Sequence, residues 1–220
     1  VPTIINKIED GNKGLGVSYN ANKHTIHNDN GIGVKHKFDM GTVSLKYVPK
    51  LAAGAGFNDS NPAAVASGSG LAYGFEGGFG VDGLKVLVSI NEVDQNGNSA
   101  TQIEQTMFGA SYNFGNITVG VQETTYDNTT TNSYTYSEGN ETEALSYGAT
   151  IALNDQVSLG IQYAELSGHA ITADEEITSI SAGYNLGGAT IGLQYHDAEN
   201  VDGSTGSDGE AIELRIKQKF

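Results

Sequence analysis

The sequence predicts an all-β protein, an antiparallel up-and-down β-barrel that crosses a membrane with its strands. Three observations lead to this prediction. Apolar and polar residues alternate over runs of about six to ten residues, the pattern of a strand with one apolar face. Short turns alternate along the chain with longer polar loops. No run of about 18 apolar residues could form a membrane helix, so a membrane would have to be crossed by strands.

Composition excludes several other classes of protein. The 220 residues are 38% hydrophobic, below the usual share of about 45–50%. A barrel wall around water accounts for this value, because only every second strand residue needs to be apolar. The absence of Cys excludes disulfides, thiol nucleophiles and Cys-zinc sites. The net charge of −15 argues against a nucleic-acid binder. Since the chain begins Val1-Pro2 without a signal segment, we expect a secretory signal to be either removed or absent.

Five hairpins follow one another along the sequence. The most regular ones start at Gly109, Leu145 and Ser179, and two less regular ones start at Gly31 and Leu71. Solenoids and propellers keep a fixed repeat length, whereas the intervals between these turns drift, so successive β-hairpins are favoured. The predicted turns centre near Met40, Asp82, Gly115, Asn154 and Gly187.

The connections between hairpins are long and polar, while the turns within them are short. This layout is typical of an outer-membrane barrel, with short turns at one rim and long loops at the other. A soluble sandwich is the alternative, but its Greek-key crossovers do not require such regular alternation. The predicted long loops are residues 51–67, 95–101, 128–141, 167–175 and 199–209.

The two parities of each strand differ in character. One is apolar, as in Ile32 and Val34 of the first hairpin, and the other is rich in Gly, Ser, Thr and Gln. We expect the second parity to form a wall that faces water. Aromatic residues near the strand ends suggest the two girdles of a membrane barrel. They are Phe38, Phe79, Phe114 and Tyr184 by the short turns and Tyr47, Tyr163 and Tyr195 towards the long loops.

The last strand, EAIELRIKQKF, alternates apolar and charged residues and ends on Phe220. An amphipathic strand that ends in phenylalanine resembles the signal that delivers outer-membrane proteins to the barrel-assembly machinery. With the serial hairpins, it makes residues 30–220 resemble a bacterial general porin of the outer membrane. The most similar type is the trimeric, 16-stranded porin of purple photosynthetic bacteria and other alphaproteobacteria. The segments that carry the resemblance are NGIGVKHKFDMGTVSLKYV, ASYNFGNITVGVQ, GYNLGGATIGLQY and ELRIKQKF.

The resemblance implies a barrel domain over residues 30–220 with eleven visible strands, of 16 in a complete porin. Residues 1–29 would then be a segment like the constriction loop or would contain a first strand. Residues 14–22 could supply a twelfth strand and close a smaller barrel. An incomplete porin and a complete twelve-stranded barrel both remain open.

Charged residues of the polar parity are the candidate pore-lining residues. Basic side chains inside the pore, opposite acids on an inserted loop, would set up a transverse field that orients dipolar solutes. The alternative is that these charges are merely solvated. The pore-lining candidates are Lys35, Lys37, Lys46, Glu76, Lys85, Arg215 and Lys217, and the constriction-loop candidates are Glu9 and Asp10.

The sequence therefore predicts passive diffusion of small hydrophilic solutes and ions, with no catalytic residue, no cofactor and no metal centre. No G-x-S-x-G or H-E-x-x-H motif occurs, and no Ser/His/acid set is expected on adjacent strands. His24 and His27 lack a third ligand, while dense acidic loops could bind Ca²⁺ or Mg²⁺. The resemblance implies a homotrimer in contact with outer-membrane lipid and lipopolysaccharide. The alternative function is a secreted or surface-exposed β-rich adhesin without channel activity.

Overall fold

A computed structural model describes residues 31–49, 69–94, 102–128, 140–168 and 172–218. These residues form eleven strands of one antiparallel sheet, in which every strand pairs with its neighbours in sequence. The strands are β1 Ile32–Phe38, β2 Gly41–Val48, β3 Gly70–Gly77, β4 Leu84–Asp94, β5 Gln102–Phe114, β6 Ile117–Asn128, β7 Asn140–Ala152, β8 Val157–Gly168, β9 Glu175–Asn185, β10 Ala189–Glu199 and β11 Gly209–Gln218. The predicted all-β, up-and-down fold with eleven visible strands is confirmed. Residues 1–29, with Glu9, Asp10 and the candidate twelfth strand, lie outside the described residues.

Short and long connections alternate as predicted. The turns within the hairpins comprise residues 39–40, 78–83, 115–116, 153–156 and 186–188, two to six residues each, and the other connections have at least six residues. Positive φ angles of 82° at Gly115 and 84° at Gly187 explain glycine in two of these turns, because an L side chain is strained there. Asn154 builds a third turn, since its Oδ1 accepts from the backbone N–H groups of Gln156 and Val157, both at 2.9 Å.

The pairing register sorts all the strands into two faces. Residues directly opposite each other on paired strands lie on the same side, so a face can be followed from β1 to β11. The apolar face contains, for example, Val34, Leu45 and Tyr73, which follow one another across β1–β3. The opposite side, the polar face, contains the Gly, Ser, Thr and Gln parity. Both predicted parities are confirmed as the two sides of one sheet.

Exposure of the two faces is the reverse of that in a soluble protein. Large side chains of the apolar face are exposed, up to 77% at Ile32 and 75% at Ile212. A contiguous exposed apolar surface of this kind needs a lipid or protein environment. Towards the long connections, however, the polar face is buried, which differs from the predicted wall facing water. The buried polar residues are Ser89, Asn91, Gln105, Gln122, Thr124, Ser146, Glu175 and His196.

Two of the longer connections contact each other at the rim opposite the short turns. The backbone N–H and the hydroxyl of Thr172 both donate to the Gly203 carbonyl, at 3.0 and 2.8 Å. Gly203 ends a short 3₁₀ turn, Val201–Gly203, in the connection between β10 and β11. Asn200, which precedes that turn with a positive φ of 53°, donates from Nδ2 to the carbonyl of Asp174. These bonds tie the connection before β9 to the connection after β10.

Candidate pore wall

Basic residues on the polar face cluster on β1 and β2. Lys35 lies opposite Ser44, Lys37 opposite Thr42 and Lys46 opposite Gly33, so all three are on one side of one hairpin. Lys35 and Lys37 are exposed, and no carboxylate of the described residues lies within ion-pair distance of either. We call these three residues the lysine strip.

The remaining candidate pore residues with described side chains form ion pairs on the same face. Lys85 on β4 contacts Glu76 on β3, with an Nζ–Oε1 distance of 2.7 Å. Arg215 on β11 donates to Glu213 Oε1 from Nε at 3.1 Å and from a terminal nitrogen at 2.7 Å. Lys217 is the register partner of Thr190 in the backbone of β11. The structure therefore brings the pore-lining candidates to one face but not to one point.

Most carboxylates of the strands lie on the opposite face from the basic residues. At the ends of the strands near the long connections, the apolar face carries a row of acids, which we call the carboxylate row. Among the described side chains of that face there is no Lys or Arg. The row comprises Glu92, Glu104, Glu123, Glu143, Glu165, Glu176, Asp197, Glu199 and Glu210. These acids share the parity of the apolar residues that precede them, which the sequence interpretation overlooked.

Tyrosine hydroxyls stand between the apolar band and this row. Tyr163 donates to Glu165 Oε2 at 3.1 Å and to Glu176 Oε2 at 2.8 Å, and these two carboxylates are direct register partners. Tyr73 likewise donates to Glu92 Oε1 at 3.2 Å. At the opposite rim, Phe75 packs on Phe79 with ring centroids 5.0 Å apart. Aromatic residues thus border the apolar band at both ends, as a membrane barrel requires.

The buried part of the polar face is held by hydrogen bonds between side chains. Asn91 Nδ2 donates to Gln105 Oε1 at 3.0 Å between β4 and β5. Ser179 Oγ lies 2.7 Å from His196 Nδ1 between β9 and β10. Glu213 lies on the same face of β11, so Ser179, His196 and an acid occupy three adjacent strands. This corrects the expectation that no Ser/His/acid set lies on adjacent strands.

Metal-ligand clusters and membrane helices are both lacking in the described part of the chain. No group of three or more His, Cys, Asp or Glu residues in the described ranges could hold a metal ion. No helix in the described part is long and apolar enough to cross a membrane. The loops for which the sequence predicts Ca²⁺ or Mg²⁺ lie mostly outside the described residues, as do His24 and His27.

Comparisons with known proteins identify the fold. No protein-family model matches the chain, and no curated protein matches it in sequence. Among solved structures, it is similar to the anion-selective porin from Comamonas acidovorans, with a TM-score of 0.62 and 16% identity over 87% of this chain and 59% of that one. Salmonella typhi OmpF in complex with daunomycin gives a TM-score of 0.62 at 15% identity, over 85% of this chain and 61% of that one.

A third similar structure is a loop L8 deletion mutant of OmpT, an outer membrane protein of Vibrio cholerae. Its TM-score is 0.57 at 17% identity, over 86% of this chain and 62% of that one. The chain therefore spans about 60% of the length of the porins it resembles. The predicted porin-like β-barrel fold is confirmed, and the predicted outer-membrane setting agrees with these neighbours.

Proposed function

We propose that the protein is an outer-membrane porin whose polar face lines a water-filled pore for small hydrophilic solutes and ions. The observation that carries the proposal is the combination of an exposed apolar face with a polar face that holds every Lys and Arg of the described strands. A soluble all-β protein would bury the apolar face instead.

The dimensions of the apolar face support a membrane setting. On β4 the apolar stretch runs from Leu84 to Ile90 and ends at Glu92, and on β8 it runs from Val157 to Tyr163 and ends at Glu165. At about 3.3 Å per residue each stretch spans roughly 20 Å along the strand. The apolar band of outer-membrane barrels is about 25 Å tall, so the carboxylate row would lie at the membrane surface.

Charge on the polar face supports a preference for anions. Its described side chains include five basic residues and three carboxylates, Glu76, Glu175 and Glu213. Two of the three carboxylates are neutralised by Lys85 and Arg215. Lys35 and Lys37, the exposed residues of the lysine strip, are then the main source of field in the pore, and they would raise the local concentration of anions. Passage itself would be passive diffusion without catalysis.

Planar-bilayer recording of the detergent-folded protein tests the proposal. We expect discrete, stable conductance steps that scale with salt concentration. A protein that never inserts, although its band on a gel shifts on boiling as for a folded barrel, would contradict the channel and favour the adhesin.

Neutralising the lysine strip is the sharper version of this test. The triple variant Lys35→Gln, Lys37→Gln, Lys46→Gln should shift the reversal potential in a salt gradient towards cation preference. The matched control neutralises three exposed acids of the apolar face, Glu104→Gln, Glu123→Gln and Glu210→Gln, and should leave the reversal potential unchanged. Equal shifts in both variants would remove the lysine strip from the pore.

Assembly and partners extend the proposal on the strength of the resemblance to porins. We propose a homotrimer, contact with outer-membrane lipid and lipopolysaccharide, and insertion by the barrel-assembly machinery. We expect the channels to open and close in groups of three equal conductance steps. We also expect a trimer-sized band on an unboiled gel. A single-step channel with a monomer-sized band would contradict the trimer.

A further inference from the structure

The connection between β10 and β11, residues 200–208, packs on the polar face of the sheet. Its Val201 is only 8% exposed and forms one apolar cluster with Ala164, Ile177 and Ala198. These three residues are register partners on β8, β9 and β10, and all of them belong to the polar face. Val201 therefore lies on the side of the sheet that the proposed function assigns to the pore.

The polar face changes character at the level where Val201 packs. On β8 this face carries Gln162 and then the buried Ala164 and Leu166, while the other face carries Tyr163 and then Glu165. Beyond the apolar band, apolar residues thus lie inside and acids lie outside. That is the arrangement of a sheet with a packed interior, so this level of the polar face is suited to be covered by apolar side chains.

Asn200 holds the connection in place through three hydrogen bonds. Its backbone N–H donates to Asp208 Oδ1 at 3.1 Å, and its Oδ1 accepts from the N–H of Gly206 at 3.0 Å. Its Nδ2 donates to the carbonyl of Asp174, in the connection before β9, at 3.0 Å. One residue thus closes the turn on itself and ties it to the neighbouring connection, which keeps Val201 over β8–β10.

We propose that residues 200–208 form a fixed strap over the pore wall at β8–β10, anchored by Val201, and that this strap sets the upper size limit for solutes. Residues 204–207 of the strap are exposed, so its polar side meets water while its apolar side rests on the wall. A solute at this level has a narrower passage than the strands alone would leave. The size limit rests on the proposed function, whereas the strap itself does not.

Thiol labelling of the detergent-folded protein tests the strap, since the chain has no native cysteine. Ala164→Cys places a thiol beneath the strap, and a charged maleimide should react with it roughly tenfold more slowly than with Thr190→Cys, on the exposed part of the polar face. Adding Val201→Asp places a charge in the apolar cluster and should raise the Ala164→Cys rate roughly tenfold. Adding Thr205→Asp, at an exposed position of the same connection, is the matched control and should leave the rate unchanged.

Liposome swelling with uncharged sugars tests the size limit. We expect Val201→Asp to raise the uptake rate of a trisaccharide, relative to that of a monosaccharide, by roughly threefold, and Thr205→Asp to leave this ratio unchanged. An unchanged ratio in permeable Val201→Asp vesicles would overturn the size limit, and fast labelling of Ala164→Cys without further changes would overturn the strap. No sugar uptake by the unaltered protein would contradict the proposed pore, while the labelling rates would still decide whether the strap exists.

Boiling-dependent gel mobility shows whether each variant is folded. If Val201→Asp does not fold, Asn200→Gly takes its place, because glycine accepts the positive φ of 53° and removes both side-chain hydrogen bonds. The same rises in labelling rate and in uptake ratio are then expected. Unchanged values of both in folded Asn200→Gly protein would overturn the proposal.

Discussion

At the scale of single residues, the Tyr163 hydroxyl holds two carboxylates of the carboxylate row. Glu165 and Glu176 face each other across β8 and β9, and like charges in direct register destabilise a sheet. The single hydroxyl proton lies within hydrogen-bond reach of both carboxylates, so it reduces this repulsion at the edge of the apolar band. The stability of this sheet edge therefore depends on three side chains from two strands.

Tyr163→Phe should therefore lower the free energy of unfolding by about 1.5 kcal/mol, the lower end of the range for a hydrogen bond to a charged group, because these bonds are only partly buried. Tyr147→Phe is the matched control, because its ring packs on that of Tyr163 at 5.1 Å and keeps that packing. Urea unfolding of the protein in lipid vesicles would measure both. Equal losses in the two variants would show that ring packing, and not the hydroxyl, stabilises this edge.

Glu176→Gln should act in the opposite direction. It removes one of two facing charges while keeping an oxygen that accepts from Tyr163, so we expect a gain of about 0.5 kcal/mol. The same unfolding experiment measures it, with exposed Glu123, which faces Phe108 and Leu145, as the site of a control Glu→Gln change. A loss of stability in Glu176→Gln would mean that the hydrogen bond to the charged carboxylate outweighs the repulsion between the two acids.

At the scale of elements, the turns determine where each strand begins. Gly187 and Gly188 are adjacent in the turn before β10, and an added Cβ would meet nothing within 4 Å at either position. Only Gly187 has a positive φ, 84°, so the two positions differ in backbone strain and not in space. Gly187→Ala should cost about 1 kcal/mol, whereas Gly188→Ala should be close to neutral. Equal costs in the urea experiment would contradict a conformational origin.

Elements were also the level at which the sequence was most informative. Period-2 alternation and turn residues are local signals, so the five turns and both parities could be predicted. Ser179 and His196 are equally many residues from the Gly187–Gly188 turn, so the turn position also predicts that they face each other on β9 and β10. The position of Glu213 beside His196 could not be predicted, because a nine-residue connection separates β10 from β11 and does not fix their register. Burial of polar residues such as Gln105 depends on surroundings that no local pattern encodes.

At the scale of the whole molecule, charge and apolarity are sorted together. Basic residues of the strands lie on the polar face and acids near the long connections lie mainly on the apolar face, although the net charge of −15 hides this division. The sorting explains how a chain with 38% hydrophobic residues forms an extended apolar surface. It also means that a pore with a basic wall would be surrounded by an acidic outer rim.

The direction of the outermost strands limits how the sheet can close. β1 and β11 both run towards the short-turn rim, because each is an odd member of an up-and-down series. Direct pairing of β1 with β11, in one chain or between two copies in the same orientation, would be parallel. Antiparallel closure needs an odd number of further strands between these two edges, whichever segment supplies them.

A cross-linking experiment tests this geometry, and the absence of native cysteine makes it clean. Val34→Cys with Leu214→Cys places one thiol on each edge strand, while Leu193→Cys with Leu214→Cys places thiols on register partners as a positive control. A short bifunctional thiol reagent should join the control pair within one chain and leave the edge pair unjoined. Efficient cross-linking of Val34→Cys to Leu214→Cys within a chain would mean that β1 and β11 are direct neighbours, and closure through intervening antiparallel strands would then be wrong.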